Sequence, residues 1–215
     1  GGDFKIYYTK ACKENLKKGL VLWLKMDEGE GTIAGDSSGY GNNGTIRGSA
    51  LKFDGVDDYV NCGNNSILFP VEELTYEAWI KPTAPSEDRA GIIIARGVSP
   101  SRLWYRPEGT VVCEFRDSAD NWFYTHAISI PQGEWSHVVA YYSLASGKYG
   151  IVVNGVKYEK THYGNPLWSG VNTLYIGADH HTAGRYFNGT IDEVRIYNRA
   201  LNETEIQEHY NGIYN

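Results

Sequence analysis

At 215 residues the chain is long enough for one all-β sandwich to use in full, so a second domain is not required. Its apolar mass is aromatic and β-branched, with 17 Tyr and 6 Trp against a single Met, which favours sheets over helices. A formal charge of −6 with scattered Lys and Arg excludes a nucleic-acid footprint, and no run approaches the roughly 20 apolar residues of a membrane-spanning helix.

Residues 1–18 lack the strand-and-turn pattern of the remaining chain and read as a leader or linker, basic at Lys10, Lys13, Lys17 and Lys18. The chain opens Gly1-Gly2 without Met and without a signal-peptide pattern, as a processed or excised piece of a longer protein would. From residue 19 short strands are cut by turn residues: LVLWLKM, SALKFDG, DYVNCG, LTYEAWIKP, GIIIARG, RLWYR, TVVCEFRD, NWFYTHAI, WSHVVAYYS, YGIVVNG, VKYEK, NTLYIGAD and GTIDEVRIYN. That spacing predicts an antiparallel sandwich. TVVCEFRD and LTYEAWI alternate cleanly, so their side chains face opposite sides of a sheet. Other strands are apolar on both parities, which implies sheet faces covered on both sides. Asn154-Gly155 predicts a type I′ hairpin, because that turn needs two residues tolerating positive φ. The chain closes on one predicted helix, LNETEIQEHYNGI, with Asn202 as cap, Glu205 completing a capping box, Ile206, Tyr210 and Ile213 on one face, and Gly212 marking the end.

Cys12, Cys62 and Cys113 are too far apart for a zinc knuckle or a redox pair. Cys62 and Cys113 lie on strand-like segments, where either one disulfide or buried free thiols fits. Four Asn-x-Ser/Thr triplets, at Asn43, Asn64, Asn188 and Asn202, permit glycosylation in a secreted chain.

The stretch GDSSGYGNNG, Gly35 to Gly44, satisfies three motifs. As G-x-S-x-G it needs a sharp strand-to-helix turn that lifts Ser37 above a parallel sheet, and as G-x-G-x-x-G it needs glycines opening a helix toward a pyrophosphate. Neither context is present, since Gly44 leads into strand-like TIRGSALKF. Two readings remain. Asp36, Asn42 and Asn43 offer the oxygens a hard cation requires, or they close their own turns through Asx side chains.

LVLWLKMDEGEGTIAGDSSGYGNNGTIRGSALKFDGVDDYVNCG resembles the opening of a laminin G-like, concanavalin A-like jelly-roll domain, with its D-x-S-G-x-x-N-x-G loop and, after it, F-D-G-x-x-D-Y-V. LTYEAWIKP, GEWSHVVAYYS, GIVVNGVKYEK and LYIGADHHTAGRYFNGTIDEVRIYNRALNETEIQEHY resemble the remaining signatures in the right order, over residues 19 to 213. The resemblance implies an antiparallel jelly-roll sandwich with one short C-terminal helix. It further implies a binding module of a secreted or cell-surface protein, itself part of a larger multidomain protein, with a structural calcium ion. Carried over, the calcium ligands are Asp36, Asn43 and Asp192. Asp54 and Asp58 in FDGVDDYV match as well, and a turn-forming role explains them equally.

Catalytic signatures of related folds are missing: no Glu has Asp two residues on, as the paired carboxylates of sandwich glycosidases require, and YFNG at Tyr186 to Gly189 has Asn where jelly-roll lyases place a Lys. His137, in WSHVV, reads as a packed framework residue. Trp122, Tyr124 and His126 share one parity of NWFYTHAI, and Arg102 and Trp104 share one parity of RLWYR. Such a stripe is either an aromatic platform on which sugar rings stack or the core face of the sandwich. His181, of the His180-His181 pair, joins the ligand candidates, with a solvated loop as its alternative. The sequence thus reads as a non-catalytic module that binds a glycan or another cell-surface ligand, outside the cell and without a nucleic-acid partner. A structural or adhesion domain with no glycan site is the alternative, and a polysaccharide-active enzyme the third reading.

Overall fold

A computed structural model of the chain describes residues 16–28, 31–47, 52–83, 91–96, 101–162, 164–170, 173–179 and 185–212. In chain order the first strands are β1 (Leu20–Leu24), β2 (Ile33–Ala34), β3 (Gly44–Arg47), β4 (Lys52–Asp54), β5 (Tyr59–Asn61), β6 (Glu73–Pro82), β7 (Gly91–Arg96) and β8 (Ser101–Tyr105). The others are β9 (Thr110–Arg116), β10 (Trp122–Tyr124), β11 (Ile128–Ser129), β12 (Ser136–Ser143), β13 (Lys148–Val153), β14 (Val156–Thr161), β15 (Leu174–Ile176) and β16 (Asn188–Tyr197). One helix of length, α1 (Glu203–Tyr210), closes the described chain.

The strands form two antiparallel sheets. A seven-stranded sheet runs β1-β16-β6-β12-β13-β14, with β4 on β16. A nine-stranded sheet runs β10-β9-β8-β7-β15-β5-β3-β2, with β11 on β9. Neighbours far apart in sequence, such as β1 beside β16 and β15 between β7 and β5, are the crossovers of a jelly roll.

The period-2 pattern decides which side chains meet between the sheets. In β6, Leu74, Tyr76, Ala78 and Ile80 enter the core, and in β9 Val111, Cys113 and Phe115 do so from the facing sheet. Each buried Leu, Ile, Val or Phe among them contributes about 1.5–3 kcal/mol. The opposite face of the seven-stranded sheet is partly covered by α1 and the residues leading into it, with Ile206 and Leu201 clustering with Trp23, Val139, Tyr141, Val152 and Tyr197. This second layer accounts for strands apolar on both parities: β12 is buried at every position.

The hairpin at Asn154-Gly155 has the expected geometry, with φ of 48° and 77° and Val153 paired to Val156. The capping box on α1 is complete: Asn202 Oδ1 accepts from the Glu205 N–H at 3.0 Å, and Glu205 Oε2 accepts from the Asn202 N–H at 2.9 Å. The buried face of α1 differs from expectation. It carries Ile206 and His209, while Tyr210 is half-buried and Ile213 lies outside the described residues. The difference arises because Glu77, a charged residue under the helix, recruits His209 to it.

Leu16 is buried, and Arg199 Nε donates to the Lys18 carbonyl, so residues 16–18 pack on the sandwich; Lys10, Lys13 and Cys12 lie outside the described residues. Cys62 and Cys113 are free and buried, and burial pushes the Cys62 thiol up to about 12, so neither is a reactive thiolate.

Candidate functional site

The aromatic stripe of β10 does not face the core. Phe123 turns inward, stacking on Phe115 with centroids 5.5 Å apart, and this sends Trp122 and Tyr124 to the outer face of the nine-stranded sheet, where they are 40% and 42% exposed. Strand register builds a surface around them. Tyr124 pairs with Glu114, which pairs on its other side with Arg102, and Trp122 pairs with Arg116. Trp104 lies one outward position along β8 from Arg102, opposite Val112.

Guanidinium groups stack on each indole of this face. Arg102, Arg106 and Arg185 lie 5.6, 5.1 and 5.7 Å from the Trp104 ring, while Arg116 lies 5.5 Å from Trp122 and 5.8 Å from Trp168. Arg102 is not a free hand for a ligand. It is paired with Glu114, and its Nη1 donates to Asp179 Oδ2 at 2.7 Å. Burial would by itself weaken the charge of Arg102, yet Glu114 and Asp179 outweigh it and raise its pKa. For Glu114 burial prevails over Arg102 and raises the carboxyl. Arg102 therefore acts as an anchor that fixes Trp104, and the exposed surface consists of Trp122, Tyr124, the edge of Trp104, Arg116 and Trp168.

His126 is exposed on the same parity as Trp122 and Tyr124, two residues beyond the end of β10. Past Tyr124 the pairing to β9 continues through Thr125, whose N–H donates to the Cys113 carbonyl and whose Oγ1 accepts the Cys113 N–H, both at 2.9 Å. The His126 ring sits 6.2 Å from Tyr158 on β14, in the other sheet. His181 falls outside the described residues. Arg116 was visible as an outward position of TVVCEFRD. Trp168 was not, because it reaches the face from a loop held by non-local hydrogen bonds, Ser118 N–H to the Pro166 carbonyl and Trp168 N–H to the Arg116 carbonyl.

Residues 35–43 form a loop between β2 and β3, with no helix on either side. Asp36 is its hub. Oδ1 accepts the N–H of Trp23 at 3.0 Å and of Ser38 at 2.8 Å, while Oδ2 accepts the Ser38 hydroxyl at 2.8 Å and the Asn42 N–H at 2.9 Å. Asn43 Oδ1 accepts the Asp36 N–H at 2.9 Å. Asn42, buried, ties the loop to the Val21 carbonyl and to Asn65. The loop lies against one edge of β1, through the Leu24–Asp36 bridge, whereas β16 pairs on the other edge.

Calcium needs six to eight oxygens around one point, and Asp36 already holds four donors on its two oxygens. These hydrogen bonds fit the turn-closing reading of the loop, with Asp36 as its acceptor hub and Asn43 accepting the Asp36 N–H. Asp54, Asp57 and Asp58 bring carboxylate oxygens within 4.8 Å of one another, and two of them serve the turn itself: Asp54 Oδ1 accepts from Val56 N–H and Asp58 Oδ2 from Asp54 N–H.

Residues 54–207 match the family described as the concanavalin A-like lectin/glucanases superfamily. No curated protein matches the chain in sequence. Among solved structures the chain is similar to the receptor-binding domain of botulinum neurotoxin D, with 17% identity and a TM-score of 0.72 over 92% of this chain and 54% of that one. It is also similar to the binding domain of Paraclostridial Mosquitocidal Protein 1, with 18% identity and a TM-score of 0.70 over 93% and 53% of the two chains. A Trypanosoma rangeli sialidase shares the fold with 17% identity and a TM-score of 0.66, over 89% of this chain and 32% of that one. The chain spans about half the length of the toxin domains it matches.

Proposed function

We propose, from the premise that this chain belongs to the concanavalin A-like lectin/glucanases superfamily, that it is a non-catalytic recognition module binding a carbohydrate on the outer face of its nine-stranded sheet. The observation that carries this reading is the outward placement of Trp122 and Tyr124 beside Arg116, while Phe123 alone of that strand serves the core. Sugars present apolar C–H faces that stack on indole and phenol rings, and their hydroxyls accept from guanidinium and phenol donors. The indole rings are held in place beforehand by cation–π contacts, so little of their side-chain entropy is lost on binding.

A non-catalytic role is supported by the state of the acids on this face. Glu114 and Asp179 are almost fully buried and both are committed to Arg102, so neither is free to protonate a leaving group or attack a sugar. The similarity to toxin receptor-binding and binding domains supports placing the module outside the cell, within a larger protein that meets a cell-surface ligand. The test is a glycan array and then titration with the best sugar. Trp122→Ala and Tyr124→Ala are each expected to weaken binding by about 1–2 kcal/mol, or roughly 5- to 30-fold, with the unfolding midpoint unchanged. Retained affinity in both variants, or an array without signal, would leave the adhesion or spacer role as the better reading.

A further inference from the structure

The outer face of the seven-stranded sheet carries a separate cavity beside the end of α1. It encloses about 350 Å³ and is lined by Trp79, Trp135, Asp192, Glu193, Arg195 and His209. Strand β16 has to break its own alternation to build this lining. Ile191 and Val194 enter the core, yet both residues between them face outward. The register against β6 slips between Asp192 and Arg195, and Glu193 takes φ = 51°, a left-handed conformation that a glutamate adopts at a cost. The bulge thus delivers two consecutive carboxylates to one face.

The two have different duties. Glu193 Oε2 accepts from Trp23 Nε1 at 2.8 Å and is paired with Arg195, whose guanidinium lies 5.0 Å from the Trp23 ring and reaches Glu77 Oε1 at 3.4 Å. The positive charge of Arg195 is therefore shared between two acids. Asp192, half-buried, accepts the Glu193 N–H at 2.9 Å and forms no ion pair among the described residues. Burial, opposed by that N–H and reinforced by the Glu193 and Asp27 carboxylates, pushes its carboxyl up, while Arg195, the arginine of this lining, is drawn between Glu193 and Glu77.

The walls are aromatic. Trp79 is held by stacking against His137 at 5.0 Å and Tyr210 at 6.0 Å, and Trp135 stands at the rim, 43% exposed. A bare divalent ion would require several more oxygens than this lining provides. A half-buried carboxylate outside any ion pair among the described residues, in a cavity lined by two indoles, suits a cation with an apolar shell, since the charge meets the carboxylate and the shell meets the ring quadrupoles. We propose that this cavity binds a small organic ammonium ion, with Asp192 as its counter-charge and Trp79 and Trp135 as its walls.

The test is a titration of the full chain with tetramethylammonium chloride, read by calorimetry and tryptophan fluorescence, with tert-butanol as the neutral comparator of similar size. Saturable tetramethylammonium binding is expected, with tert-butanol at least about tenfold weaker. Asp192→Asn and Trp135→Ala should each weaken the ammonium about tenfold, while Trp122→Ala, on the other sheet, leaves it unchanged. Equal binding of tert-butanol, no saturable ammonium binding, full affinity in Asp192→Asn, or displacement of the ammonium by calcium chloride would each overturn the proposal. Because the glycan face is on the opposite side of the sandwich, failure here is distinguishable from failure of the carbohydrate reading.

Discussion

Asp36 shows how one residue type serves two chemistries, with only its partners deciding between them. A carboxylate offers about four lone-pair positions, and here amide and hydroxyl donors from Trp23, Ser38 and Asn42 use all of them. Asp36→Ala strands those donors and is expected to cost about 2–3 kcal/mol in thermal or urea unfolding. In the intact chain, excess chelator should leave the unfolding midpoint where it is. A calcium-dependent rise in the midpoint that disappears in Asp36→Ala would show that a cation, rather than the amides, holds this loop. The same logic separates Arg102 from Arg116: both are outward arginines beside an indole, yet Arg102 is bound on two sides by buried acids, whereas Arg116 pairs with the exposed Asp120.

Between elements, the decisive contact is the one joining α1 to the seven-stranded sheet. Glu77 is fully buried on β6, receives His137 Nε2 at 2.8 Å and His209 Nδ1 at 2.7 Å, and has Arg195 at 3.4 Å. Burial alone would raise its carboxyl, but His209, Arg195 and His137 outweigh burial and hold it well below the usual range. A depressed folded-state pKa contributes stability that is complete above the unfolded carboxyl value, near 4.3, and is lost as pH falls toward the folded one. Unfolding midpoints should therefore fall steeply below about pH 4.3. Glu77→Gln should flatten that dependence and lower stability at neutral pH by about 3–5 kcal/mol, because it leaves Arg195 without its buried counter-charge. A midpoint indifferent to acid down to about pH 3 would mean that the cluster is not ionised as described.

At the scale of the whole molecule, the sandwich presents two dissimilar outward faces, one of arginine-braced aromatic rings and one of acids among indoles, with the core between them. Substitutions on the two faces share no partners, so Trp122→Ala combined with Asp192→Asn should give ligand affinities and stabilities that add within about 0.5 kcal/mol. Coupling beyond that, measured by a double-mutant cycle, would mean that the core transmits between the faces.

Local patterns in the sequence determined the strands, the Asn154-Gly155 hairpin, the capped helix and the sandwich class, because alternation, turn chemistry and capping act over a few residues and leave their mark in the order of side chains. They also singled out Trp104, Trp122 and Tyr124, without settling whether those rings faced core or solvent. Parity says only that residues share a side; which side is covered depends on the partner sheet, and Phe123 against Phe115 decided it. The outward turn of Asp192 and the contribution of Trp168 were decided by tertiary structure alone. Each hangs on a bulge or on a contact from a distant loop, and such departures from regular pairing arise from packing between elements rather than from any short stretch of sequence.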